Sequence, residues 1–127
     1  MRKILIAVAS LIVLTNAALA DFVAFDKAKF DALVKSNAVV VVHTHEWWCP
    51  VCRTQANILE RLQKDPKFSK VVMFRANPGT DRVALEQLKA PTRSIILIYV
   101  GGKEVARLNS ITDPASIRLE FEVAAGE

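Results

Sequence analysis

The chain has 127 residues with 17 Lys and Arg against 13 Asp and Glu, a formal net charge of +4, and two cysteines. That length supports one domain with one core. No run of Lys and Arg interleaved with aromatics appears, so a nucleic-acid surface has no support.

The first twenty residues read as a targeting segment. Arg2 and Lys3 open the chain, residues 4–14 (ILIAVASLIVL) form an unbroken apolar run of eleven, and residues 16–20 (NAALA) end in the small-x-small pattern that a signal peptidase cuts after. The run falls short of the ~20 residues a spanning helix needs. Cleavage before Asp21 leaves a mature domain over 21–127 and lowers the net charge to +2, because Arg2 and Lys3 leave with the leader. The expected location is periplasmic or secreted, with membrane contact only through the leader. An uncleaved anchor is the alternative.

The mature chain alternates strands and helices. Residues 22–25 are short and apolar, an edge strand; Asp26 caps a helix whose face is Phe30, Leu33 and Val34, and Ser36-Asn37 ends it. Residues 38–42 (AVVVV) predict a central strand buried on both faces. A helix of roughly four turns follows the cysteines. It has an apolar stripe of Ile58, Leu59 and Leu62, with Arg53, Gln55, Asn57, Glu60, Arg61 and Lys64 on the polar side, and Asp65-Pro66 interrupts it. Residues 71–74 (VVMF) are a third strand. Asn77-Pro78-Gly79-Thr80 is turn chemistry leading into a helix through Val83, Leu85 and Leu88, capped by Thr80 or Asp81. Residues 94–100 (SIILIYV), Gly101-Gly102 and residues 103–108 predict a hairpin. Thr112-Asp113-Pro114 starts a last helix carrying Ile117, Leu119, Phe121 and Val123. The order β-α-β-α-β-α-β-β-α predicts an α/β fold with a mixed central sheet and helices on both faces.

Both cysteines lie in Cys49-Pro50-Val51-Cys52, where the buried strand passes into a helix. A bond closing so short a loop constrains the unfolded chain little, so the pair is a poor structural staple. As a redox pair it is well placed. Only a thiolate attacks a disulfide, and a helix start offers unpaired N–H groups and the positive dipole end to hold the Cys49 anion. Cys52, one turn on, can reach it and resolve the mixed disulfide. Pro50 suits the first helical turn. Other readings of the residues stay open: half of a zinc site, with His43 and His45 completing the ligands, or two unreactive buried thiols. Residue 53 is Arg, so the haem-attachment signal C-x-x-C-H is absent.

With Trp48 directly before the pair, a Gly-Gly hairpin late in the chain and this element order, residues 22–125 resemble the thioredoxin superfamily, and most of all its small exported bacterial members. The resemblance implies a thioredoxin fold. It implies Cys49 as nucleophile, Cys52 as resolving cysteine, and Trp48 beside the pair as part of a docking surface; Trp47 matches nothing in the motif and is a core residue or an exposed contact. The buried acid that thioredoxins carry six positions before the first cysteine is replaced by His43, a candidate proton relay or a plain hydrogen-bonded core histidine. His45 is a weaker candidate. At the position of the family's cis-proline, counting back from Gly101-Gly102 selects Ser94, preceded by Arg93, over Pro91; a cis bond there would cost about 2.5–4 kcal/mol, so Arg93-Ser94 is expected trans. Arg93 near the thiolate would lower the pKa of Cys49 further. Pro50, Arg93 and Ser94 join Trp48 as substrate-contact candidates.

The function implied is a monomeric, exported thiol–disulfide oxidoreductase that reduces, forms or exchanges disulfides in envelope proteins or small thiols. It needs no bound cofactor and no metal, and a redox partner recycles the pair. The alternatives are a copper or zinc chaperone and a non-catalytic binding module on the same fold.

Overall fold

The computed structural model describes residues 22–126. The leader expected over residues 1–20 lies outside them. The elements are β1 (Val23–Ala24), α1 (Lys27–Val34), β2 (Val39–Thr44), α2 (Pro50–Lys64), a 3-10 turn (Pro66–Phe68), β3 (Val72–Ala76), α3 (Arg82–Gln87), β4 (Ile95–Val100), β5 (Lys103–Asn109) and α4 (Pro114–Ala124). The order is the one the residue pattern predicts. Among the described residues no helix is long and apolar enough to cross a membrane.

One five-stranded sheet runs β1-β3-β2-β4-β5. β1, β3 and β2 are parallel, and β4 and β5 are antiparallel to their neighbours. β2 lies at the centre because its apolar run suits burial on both faces. Val40 and Val42 join Phe30, Phe74, Leu85, Leu97 and Tyr99 on one side. Val41 points the other way, into Leu59, Leu62, Phe68, Met73, Ile96, Ile98, Ile117 and Phe121. The two-residue side-chain period of a strand makes that division. Helices α1 and α3 thus cover one face, α2 and α4 the other.

Three sequence assignments shift. The central strand extends two residues beyond Val42, so that His43 and Thr44 lie in the sheet, both fully buried. Gln55, expected on the polar side of α2, is fully buried, and so almost is Gln63. In α4 only Ile117 and Phe121 are buried, while Leu119 and Val123 stay exposed. A helix has one buried stripe, and residues two apart cannot share it.

The hairpin between β4 and β5 turns on Gly101 (φ 56°) and Gly102 (φ 83°). Positive φ at both positions is the primed turn that matches strand twist. At Gly102 a Cβ would stand 2.8 Å from the Val34 carbonyl oxygen, so glycine there also admits the end of α1.

Candidate active site

β2 ends at Thr44 and α2 begins at Pro50, which delivers Cys49 to the helix cap. The Cys49 backbone is extended and its sulfur accepts the Cys52 N–H at 3.2 Å, a capping role usually filled by Ser or Asp. Pro50 then costs nothing as first helical residue, since its missing N–H has no intrahelical partner. Both cysteines are free thiols and buried, Cys49 with 3 % of its surface exposed.

Ser94 reaches this pair from the far side. Its hydroxyl oxygen lies 3.4 Å from Cys49 Sγ and 3.1 Å from Cys52 Sγ. The residue holds φ at 68°, in the left-handed region that L side chains seldom occupy. Its backbone is pinned there. Its N–H donates to the Thr44 carbonyl, and its own carbonyl accepts from the Ser110 N–H and from Gln55 Nε2. Thr44 Oγ1 also accepts the Ile95 N–H at 2.8 Å, tying the next residue to β2. Strain of this sort persists only where the surroundings over-determine it. No peptide bond among the described residues is cis. Pro91 lies in the exposed loop before β4, and Ser94, not Pro91, faces the sulfurs.

The two thiols are driven apart in acidity. For Cys49, burial works against ionisation, but hydrogen bonds from Cys52 and Ser94 and the Cys52 N–H outweigh it, and the pKa falls to about 7. The Arg93 guanidinium, a further donor facing the sulfur, acts in the same direction more weakly. Burial, then the neighbouring Cys49, pushes the Cys52 thiol up. An anion on Cys49 beside a protonated Cys52 is the arrangement thiol–disulfide exchange requires.

Trp48 is half exposed, and the Arg93 guanidinium sits 4.6 Å above its ring, a cation–π pair at the rim of the site. Trp47 is 78 % exposed and belongs to no core. It lines a groove of about 550 Å³ with Phe22, His45, Arg75 and Asp81.

His43 lies beneath this layer. Its Nε2 bonds Gln55 Oε1 at 2.9 Å, and Gln55 Nε2 donates to the Ser94 and Ile111 carbonyls. Because both protons of the Gln55 amide go to carbonyls, its oxygen must face His43, so Nε2 carries the imidazole proton. Nδ1 is buried without a partner. Burial, against the Gln55 hydrogen bond, lowers the His43 pKa to about 4. No hydrogen bond joins His43 to either cysteine. His45 packs edge-on against the His43 ring at 5.5 Å, and burial lowers its pKa too.

Gln55 is the site residue the sequence reading misplaced. Its signal was present: it follows Cys52 by three positions and precedes Leu59 by four, on the buried side of α2. Among the described residues no three His, Cys, Asp or Glu side chains are grouped to hold a metal ion.

The sequence matches no protein-family model, and it matches no curated protein. Among solved structures it is similar to Trxlp from Edwardsiella tarda EIB202, at 31 % identity and a TM-score of 0.71, over 74 % of this chain and 91 % of that one. It shares its fold with thioredoxin from Trypanosoma brucei brucei (15 % identity, TM-score 0.74, 88 % and 97 % of the two chains). The same holds for oxidised thioredoxin from Plasmodium falciparum (20 %, 0.64, 78 % and 93 %). With a relative of that identity aligned over nearly its whole length, and a dithiol at the strand-to-helix junction of a shared fold, the chain belongs to the thioredoxin superfamily.

Proposed function

We propose that this protein is an exported thiol–disulfide oxidoreductase acting on protein or small-molecule disulfides outside the cytoplasm. One observation carries the chemistry: Cys49 Sγ caps α2, accepting the Cys52 N–H, with Ser94 Oγ within reach of both sulfurs. The Cys49 thiolate attacks a partner disulfide, releasing one partner thiol and leaving a mixed disulfide. Cys52 attacks the Cys49 sulfur, the second partner thiol departs, and Cys49 and Cys52 are left joined. A separate reductant or oxidant returns the pair to its starting state.

Insulin reduction by dithiothreitol-recycled protein tests this reading. Cys49→Ala is expected to abolish catalysis, and Cys52→Ala to trap the mixed disulfide. A Cys49→Ala rate equal to wild type removes the proposal. Export rests on residues 2–20, and N-terminal sequencing of protein recovered from the envelope fraction checks it; a mature start near Asp21 is expected.

A further inference from the structure

Resting on that reading, we propose that the Ser94 hydroxyl is the proton carrier between the two cysteines in the resolving step. The geometry alone singles it out. Ser94 Oγ lies within hydrogen-bonding range of both sulfurs, at 3.1 Å from Cys52 and 3.4 Å from Cys49. His43 touches neither sulfur. Its Nε2 proton is committed to Gln55, and burial keeps it neutral, so it neither gives nor takes a proton at the dithiol.

A hydroxyl is suited to the task because it donates once and accepts twice. With Cys49 ionised, the Ser94 O–H and the Cys52 S–H both donate to its anion; once Cys49 is bonded to the partner sulfur and its charge is gone, the Cys52 S–H turns to the Ser94 oxygen, 3.1 Å away. In the mixed disulfide the leaving sulfur stands one S–S bond beyond Cys49 Sγ, about 2.05 Å. Cys52 then transfers its proton to Ser94 Oγ as the Ser94 proton passes to the leaving sulfur. The Cys52–Cys49 bond forms, the Cys49–partner bond breaks, and the partner leaves as a neutral thiol. Two electrons reach the partner, the cysteine pair is oxidised, and Ser94 is unchanged.

The fold holds Ser94 for this purpose at some cost. The residue keeps φ at 68° although glycine would occupy that backbone more easily, and two backbone hydrogen bonds and one from the Gln55 side chain fix it. Gln55 is the positioning residue: it grips the Ser94 carbonyl from the same helix that carries both cysteines. Ser110 N–H grips that carbonyl from beyond β5.

The test uses the full mature chain, reduced, mixed with oxidised glutathione and quenched in acid, with the glutathione mixed disulfide followed by mass. In wild type this species is expected to be short-lived, and its decay slower in D₂O than in H₂O. Ser94→Gly suits the backbone and removes the hydroxyl; Ser94→Ala is its companion. Loss of a positioned proton carrier is expected to prolong the mixed disulfide roughly 10²-fold and to abolish the isotope effect. Gln55→Leu is expected to do so in part. Wild-type decay of the mixed disulfide in Ser94→Gly, with the isotope effect intact, overturns the proposal. If neither variant folds, the absence of any isotope effect in wild type overturns it equally. A wild-type mixed disulfide that never resolves into the Cys49–Cys52 bond would sink the oxidoreductase reading itself, a distinguishable result.

Discussion

Cys49 ionises where an ordinary thiol does not, because hydrogen bonds overcome the burial that opposes it. The Cys52 thiol and N–H and the Ser94 hydroxyl favour its anion against the desolvation that opposes it. Arg93, held over Trp48, supports them from the rim. Arg93→Ala is therefore expected to raise the Cys49 pKa above about 7 and to slow iodoacetamide alkylation at pH 7, with little change at pH 9 where both proteins are ionised. An alkylation profile unchanged in midpoint would count against a role for Arg93. Gln55 acts differently, because it serves three partners: its loss takes the acceptor from His43 Nε2 and a donor from the Ile111 carbonyl, while the Ser94 carbonyl keeps the Ser110 N–H. Each buried polar group left unpaired costs about 1–3 kcal/mol. Gln55→Leu should thus lower the urea midpoint measurably, whereas Gln55→Glu, which keeps the acceptor for His43, should cost less. Equal losses in the two would be against this assignment.

At the level of elements, the site is made where β2 hands over to α2 and where the loop before β4 crosses beside it. Thr44 joins these parts, its carbonyl taking the Ser94 N–H and its hydroxyl the Ile95 N–H. The β4–β5 hairpin depends on two glycines of unequal tolerance. At Gly101 a methyl group meets open space apart from Asn37 Oδ1 at 3.8 Å, so Gly101→Ala is expected to cost only the left-handed backbone penalty, about 1 kcal/mol. At Gly102 the same methyl meets the Val34 carbonyl oxygen, which α1 holds in place, and Gly102→Ala should cost clearly more. Thermal unfolding of the two variants side by side gives the comparison. A Gly102→Ala loss no larger than that of Gly101→Ala would contradict the close approach.

Over the whole molecule, a buried neutral histidine links stability to pH. The His43 pKa falls from 6.5 in the unfolded chain to about 4 in the fold, so between these values the unfolded state binds more protons and the fold is favoured as pH rises. Its contribution is fully present above about pH 6.5 and is lost as pH falls toward 4, amounting to roughly 3 kcal/mol over that window. His43→Gln, which cannot ionise, should flatten the urea midpoint between pH 7 and pH 4.5. A wild-type midpoint that is level over this range would show that His43 is not what the fold protects. The two-sided core is the other global determinant. Phe121 is enclosed beside Phe68, with ring centroids 5.5 Å apart, and Phe121→Ala is expected to cost about 3–5 kcal/mol by calorimetry or denaturant unfolding.

The residue sequence by itself determined the element order, the centrality of β2 and the placing of Cys49 and Cys52 at a helix start. These follow from local rules, namely apolar runs, caps, turn residues and the period of each element, which act between neighbours along the chain. It also indicated Ser94 as the residue opposite the dithiol, by counting from a glycine turn. Only the tertiary structure decided what Ser94, Gln55 and His43 do there. Ser94 meets Cys49 across 45 positions and Gln55 meets Ile111 across 56, contacts no local pattern encodes. Gln55 read as polar surface because its amide is hydrophilic, and it is buried because β2, the loop before β4 and the loop after β5 together supply the hydrogen bonds it would otherwise take from water.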